Sequence, residues 1–421
     1  MSEDTLFVYR ERLGLFELVG KIEQLGDALT FTYDESYLHG LAPHAISHSL
    51  PLTNGTFSPE DTRTFFDGIL PEGSMRRSLS VSFHTSSNDT RSLIERLNNE
   101  SAGALVFKVD GEKPDEGRGY VPMDEEMLAK FAKTPKEIAP QIIRRSRLSL
   151  AGAQMKIGLF HDKVRDIWFY PQGAAPSSHI VKACDGSYPQ QTLNEAICME
   201  TAARLGFETA PCQLIAVDGC EPLIAIERFD RIDAGDVYMH RLHQEDFLQA
   251  LPYLRDKYEP TDGNYANQCV ALIQSESKNP FGDKQLFLSR LMFDWAIGNA
   301  DNHLKNHSML WSADWLSKEV SPLYDITCTV IYPGLDKEMG VSFGRSRRID
   351  EVTRDDVLVT ARSCGTSAKL AENELDELME TFPRALQGAV ESVCGRGFSQ
   401  AEELGRRIEM SFLDRREHML R

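Results

Sequence analysis

The stretch GNADNHLKNHSML, Gly298 to Leu310, decides how the rest of this chain is read. Before it lies DKQLFLSRLMFDWAI (Asp283 to Ile297), whose apolar residues fall nearly all round a helical wheel. That pattern predicts a buried central helix with Asp283 as its cap and Gly298 as its terminator. SMLW (Ser308 to Trp311) reads as a strand, so the turn between helix and strand carries Asp301 and, five residues on, Asn306. Phosphoryl transfer asks for such a pair: a carboxylate to orient the attacking hydroxyl and accept its proton, and an amide oxygen close by to help hold Mg²⁺. The competing reading is a helix C-terminal turn with solvated polar side chains, and a D-x-x-x-x-N string alone does not separate the two.

Three other places bear on the choice. About twenty residues on, SPLYDIT (Ser321 to Thr327) places Asp325 where a kinase has the carboxylate that chelates phosphate-bridging Mg²⁺; an Asx-type turn is the bland alternative. Lys182 ends SHIVKA (Ser178 to Ala183), a mostly apolar strand, so its ammonium must reach solvent or meet a partner such as a nucleotide phosphate. On the helix that follows, Glu195 is either the ion-pair partner of Lys182 or a solvent-facing residue. In LSLAGAQMKIGLF (Leu148 to Phe160), the small residues Ala151, Gly152 and Ala153 lie between two strand-like stretches, and their backbone N–H groups could approach phosphate oxygens. Read from its residues alone, this segment is a hairpin turn that fits neither Gly-rich phosphate motif. His303 and His307 mimic the spacing of H-E-x-x-H, but Leu304 stands where the general-base Glu is required, and no G-x-S-x-G elbow is present.

Composition bounds the class. With 421 residues and 41% hydrophobic content, two or three packed units are expected; no apolar run approaches a membrane span, and the acidic start is unlike a secretory signal, so a cytoplasmic protein is expected. Eight cysteines without a C-x-x-C pair read as buried free thiols. A net charge of -18 argues against a protein that coats nucleic acid, though it could reach DNA through a basic partner. TLFVYR, LFELVGKI and ALTFTY predict a β-rich start. GEKPDEGRG reads as a linker or solvated loop, and TLNEAICMETAARLGF as a helix capped by Thr192 and stopped by Gly206. After Arg231 the apolar period is helical, QEDFLQALPYL included.

Taken in order, SLPLTNG, FFDGILPEG, SLAGAQMK, HIVKA, NEAICMETAARLG, IERFDR, RLHQEDFLQAL, GNADNHLKNHSML and SPLYDIT resemble the successive motifs of the HipA family, from near residue 5 to beyond 330. The resemblance implies an α+β, protein kinase-like two-lobed fold: a β-rich N-terminal subdomain (1–110), an N-lobe with phosphate loop and hinge (111–231) and a helical C-lobe (232–421). It further implies a serine/threonine kinase toxin using ATP and Mg²⁺, with Asp301 as catalytic base, His303 and Asn306 completing the catalytic loop, and Asp325 with Tyr324 forming the metal-binding segment. Lys182 then resembles the phosphate-binding lysine, Ala151, Gly152, Ala153, Gln154 and Lys156 the phosphate loop, Glu227, Arg228 and Phe229 the adenine-holding hinge, and Gln244 part of a Q-E-D motif. Ser149 aligns with a serine whose autophosphorylation silences such kinases; Ser146 is a nearby competitor. The implied partners are a HipB-like helix-turn-helix antitoxin, operator DNA mainly through that antitoxin, and a protein substrate, by resemblance an aminoacyl-tRNA synthetase; no membrane is implied.

Met155, where the family often has an acidic residue, and Asn302, which replaces a frequent Gly, depart from the pattern without removing a residue the chemistry requires. Two other readings stay open: a small-molecule or lipid kinase, and a non-catalytic corepressor acting with a DNA-binding antitoxin. SFGRSRR (Ser342 to Arg348) is either a solvated loop or an arginine grip for an anionic partner.

Overall fold

The computed structural model describes residues 5–420 except Asp27, Asn98, Asn99, Gly111, Ser149, Ala153, Arg255 and Asp262, and omits the Glu125 side chain. The three alternating N-terminal segments form an antiparallel meander, β1 (Thr5–Arg12), β2 (Leu15–Leu25) and β3 (Ala28–Tyr33), and β4 (Leu105–Lys108) joins at β1. Alternation puts Leu6 and Val8 on the buried face, covered by helix Pro59–Gly68, whose Phe66 ring sits 5.6 Å from Phe31 and 6.0 Å from Phe107.

A second antiparallel sheet holds β5 (Gly119–Pro122), β6 (Lys156–Asp162), β7 (Ile167–Gln172), β8 (His179–Lys182), β9 (Cys212–Ile215) and β10 (Leu223–Glu227) in the order β5-β7-β6-β8-β10-β9. Helix Gln191–Arg204 packs beside it. Its cap is Gln190, in the left-handed region at φ 59°, and not Thr192, whose hydroxyl donates to the Pro222 carbonyl at 2.7 Å from within the first turn. Gly206 (φ 89°) follows its end as expected.

Beyond Arg231 the helical reading holds only in part. β11 (Arg231–Ile232) and β12 (His240–Arg241) form a short ribbon; β13 (Gln244–Asp246), β14 (Ser308–Trp311) and β15 (Lys318–Val320) form a three-stranded sheet; β16 (Glu338–Phe343) and β17 (Ser346–Arg348) form a hairpin. QED is therefore a strand, because pairing with β14 outweighs local period, and Asp246 caps the single helical turn that follows. SFGRSRR is a hairpin whose Arg347 and Arg348 bind Glu338 and Asp350 of the same chain.

The central helix spans Pro280–Ile297, and every residue from Phe287 to its end is buried. Asn279 caps it; Asp283 lies inside, where its carboxylate accepts the Val320 N–H at 3.0 Å and so ties the helix to β15. Gly298 terminates it at φ 86°. Helices Ala368–Gly395 and Ala401–Met419 pack against it, and Arg415 donates to the carbonyls of Trp295 and Ala296, each at 2.9 Å. A cation thus seals the end of the helix that delivers the 298–306 turn. All eight cysteines are free, with Cys198, Cys269, Cys328 and Cys364 buried and the others partly so.

Buried charge fastens the N-terminal sheet to the rest. Glu11 of β1 meets Arg241 of β12 at 2.6 Å, both side chains fully buried, and Glu100 and Asp230 share Arg228 and Arg231. Removing one member leaves an uncompensated buried charge. Arg241→Leu is expected to cost about 3–5 kcal/mol in chemical denaturation, and Glu11→Leu/Arg241→Leu to recover most of that loss.

Candidate active site

Between the six-stranded sheet, the β13–β15 sheet and the turn after the central helix, a cleft of about 400 Å³ opens. On one side is the turn after the central helix. Asn299 fixes its start, accepting from the Asp301 N–H at 3.1 Å while donating to Asp294 at 2.8 Å. The Asn306 amide closes it by donating to the Asp301 carbonyl at 2.8 Å. Asn302 is buried and exchanges two hydrogen bonds with the Val341 backbone, so the residue that departs from the family pattern anchors the turn to β16. Gly340 is needed opposite: a Cβ there would lie 2.5 Å from the His303 Cα. His303 Nε2 sits 3.8 Å from Asp301 Oδ1, and burial lowers its pKa, favouring neutral imidazole. His307 faces the other way, with its ring between Phe247 and Phe287.

Across the cleft, Lys182 at the end of β8 is 3% exposed, and its ammonium lies 2.6 Å from both Glu195 and Asp325. Glu195 is the ion-pair partner and not a solvent-facing residue. Burial opposes the Lys182 charge, but Asp325 and Glu195 together raise its pKa above the ordinary lysine value. Burial likewise opposes ionisation of Asp325, yet Lys182 and Lys156 hold it well below the usual carboxylate range; for Glu195 burial prevails and the pKa is raised. Asp325 has φ 58°, a conformation rare for a residue with a side chain.

The segment before β6 is not a hairpin turn. Helix Pro135–Ser146 precedes it, and Leu148 and Gly152 pair in parallel with Glu100 and Pro71, long-range partners that local spacing cannot disclose. Gly152, at φ 98°, leaves room for Lys156: a Cβ there would lie 2.8 Å from the lysine Nζ. Burial, with Lys182 adding, lowers Lys156 to about 8. Ala151, Gly152, Gln154 and Lys156 line the cleft, and the buried Gln154 Nε2 has no hydrogen-bond partner among the described residues. Ser149 and Ala153 lie outside the described residues. Ser146 is buried, its hydroxyl donating to the Ile142 carbonyl at 3.1 Å within its own helix.

Glu227, Arg228, Phe229, Gln244 and Tyr324 also line the cleft. Three of these side chains are engaged within the protein: Glu227 with Lys163 at 2.6 Å, Arg228 with Asp230 at 2.7 Å, and Gln244 with Asp230 at 3.0 Å. The Phe229 and Tyr324 rings meet at 5.1 Å. Sequence reasoning missed Glu72, Asp246, Lys257, Tyr258 and Lys305, all on the cleft wall. Glu72 binds Lys305 at 2.5 Å and Lys257 at 3.2 Å; burial resists its charge, but the two ammonium groups bring its pKa down to about 2. Glu72 and Lys305 both fall inside motifs quoted above, yet 233 residues separate them and nothing in the sequence links the pair.

The HipA N-terminal domain matches residues 16–108, and the HipA-like C-terminal domain matches residues 148–386, more than half of the chain. Y4mE of Sinorhizobium fredii is 31% identical over 385 residues, covering 89% of this chain and 90% of its own. The serine/threonine-protein kinase toxin HipA of Shewanella oneidensis is 26% identical over 357 residues, covering 81% and 80%. The solved structure of the S. oneidensis toxin–antitoxin complex of HipA, HipB and operator DNA has a chain that superposes with a TM-score of 0.83 at 23% identity, over 99% of this chain and 97% of that one. That likeness establishes the protein kinase-like α+β fold. No described helix is long and apolar enough to cross a membrane. With both domains matched in order and the fold shared end to end, the chain belongs to the HipA family.

Proposed function

We propose that this protein is an ATP-dependent protein serine/threonine kinase in which residues 1–110, 111–231 and 232–421 act as N-terminal subdomain, N-lobe and C-lobe. One observation carries the reading: the Lys182 ammonium, 2.6 Å from Glu195 and from Asp325, faces the Asp301–Asn306 turn across one cleft. Lys182 and Lys156 would meet the triphosphate oxygens, with Gly152 permitting backbone approach and the unpartnered Gln154 amide available as a further donor. The purine would lie against the Glu227 to Phe229 hinge, held through its backbone, since the Glu227 and Arg228 side chains are engaged elsewhere. Asp325 and Asn306 carry the oxygens that would hold Mg²⁺, and the ion would supply neutralisation of the phosphate charge.

Asp301 accepts the acceptor hydroxyl's proton as the new O–P bond forms and the bond from γ-phosphorus to the β-phosphate bridging oxygen breaks, releasing ADP. His303 beside it favours its neutral form and so sets no cation against the Asp301 carboxylate. Likeness to a serine/threonine-protein kinase toxin supports a protein acceptor; the proposed acceptor, taken from the motif resemblance alone, is an aminoacyl-tRNA synthetase whose modification would halt translation and growth. The likeness also supports a HipB-like antitoxin as partner, with operator DNA contacted mainly through it, in keeping with the net charge of -18. Ser149 is the proposed autophosphorylation site. Its neighbour Leu150 lines the cleft, and a dianionic group there would repel ATP phosphates.

Asp301→Ala is expected to lose about 3 kcal/mol or more of transition-state stabilisation, roughly a hundredfold in the rate of label transfer from ATP; an unchanged rate removes the base assignment. Mass spectrometry after incubation with ATP is expected to find phospho-Ser149, and Ser149→Asp to be inactive; a fully active Ser149→Asp variant contradicts the off-state reading. Because phosphate binding needs the Lys156 ammonium and burial sets its free-state pKa at about 8, ATP affinity should fall as pH rises through that value. Calorimetry in two buffers should then report proton uptake on binding, which Lys156→Met abolishes.

A further inference from the structure

We propose that Tyr258 is a positioning residue for phosphoryl transfer, its hydroxyl orienting the Asp301 carboxylate so that the second oxygen faces the acceptor. The inference rests on the reading of Asp301 as base. The Tyr258 hydroxyl donates to Asp301 Oδ1 at 2.6 Å, and His303 Nε2 lies 3.8 Å from that same oxygen. Both polar neighbours of the carboxylate therefore gather at Oδ1, and Oδ2 is engaged by no hydrogen bond or ion pair among the described residues. The Asp301 side chain is 49% exposed, so packing does not lock its terminal torsion, which is intrinsically broad. The phenol supplies the lock, and a carboxylate held at one oxygen presents the other in a defined direction. Burial and the nearby Asp301 charge keep the phenol above its ordinary pKa, so it remains a donor.

Tyr258 is itself held by its neighbours in the chain and by the ring beside it. Its N–H donates to Asp256 at 3.0 Å, and the Lys257 carbonyl accepts from the Leu304 N–H of the catalytic turn at 3.1 Å. Glu259, next in sequence, donates its N–H to the Gly340 carbonyl and uses its buried carboxylate to accept from the Tyr265 and Ser342 N–H groups. The ring stands edge-on to His303 at 5.2 Å, and Lys257, bound to Glu72, lies 5.3 Å from its centroid. These restraints tie an exposed tyrosine to the same turn and strand that fix Asp301, which is the supporting shell a preorganised base requires.

Tyr258→Phe isolates the hydroxyl, since the ring and its contacts remain. Initial rates of label transfer from ATP into dephosphorylated cell-lysate protein are measured against ATP concentration for the wild type, Tyr258→Phe, Asp301→Asn and the double variant, together with melting temperatures. The expected result is a maximal rate about tenfold lower in Tyr258→Phe, the scale of one charge-assisted hydrogen bond, with KM for ATP and melting temperature unchanged. The double variant should be no slower than Asp301→Asn, because Tyr258 acts only through the carboxylate. A wild-type rate in Tyr258→Phe, a change confined to KM, a loss matched by a lower melting temperature, or additive losses in the double variant would each overturn the inference. An active wild type with an equally active Asp301→Asn instead removes the base reading, and an inactive wild type removes both.

Discussion

A buried ammonium must be compensated, and Lys182 is compensated by drawing three distant segments to one point. β8 brings the lysine, the helix after it brings Glu195, and the strained backbone at Asp325 brings the second carboxylate. Lys182 and Glu195, both buried, would each carry a large desolvation penalty alone, so breaking their contact exposes each to it. The cleft's geometry depends on this three-way sharing: it sets the distance between the sheet that would hold the triphosphate and the helix end that carries Asp301. A group bound to Asp325 would compete for the lysine's attention, which makes the free and loaded states electrostatically distinct.

The N-terminal module is not an appendage to that arrangement. Glu72, at the start of helix Gly73–Phe83, reaches into the cleft, where it neutralises Lys305 and Lys257. Its own N–H donates to the Gly152 carbonyl at 3.1 Å. One residue thus touches both the 298–306 turn and the small-residue segment opposite it. With Glu11–Arg241 and the Glu100–Arg231 pair behind it, the module is clamped by groups that lose heavily if it departs.

Much of this was legible in the residues. The central helix, the strand after the turn and the strand ending in Lys182 follow from period and breakers, whereas the gathering of Asp301, Asn306 and Asp325 at one cleft is an expectation that needs the family resemblance, because the residues alone leave ordinary turns open. What failed did so for stated physical reasons. Thr192 and Asp283 look like caps because small polar residues favour that place, but a tertiary acceptor and a tertiary donor claimed them inside their helices. QED looks helical because Asp246 does start a turn, yet the three residues find a strand partner 60 or more positions away. The segment around Gly152 looks like a hairpin because its bridging partners belong to the N-terminal module. Glu72, though inside a quoted motif, and Tyr258 gave no sign of their partners, since their meaning lies in whom they meet.

The guanidinium of Arg415 has a bearing on how the molecule comes into being. It bonds the last carbonyls of the central helix from 119 and 120 residues further along the chain. On a translating ribosome the turn bearing Asp301 emerges first and waits, its helix end unsealed, while those later residues are made. The nascent polypeptide therefore cannot seal that helix end until the Ala401–Met419 helix has been made.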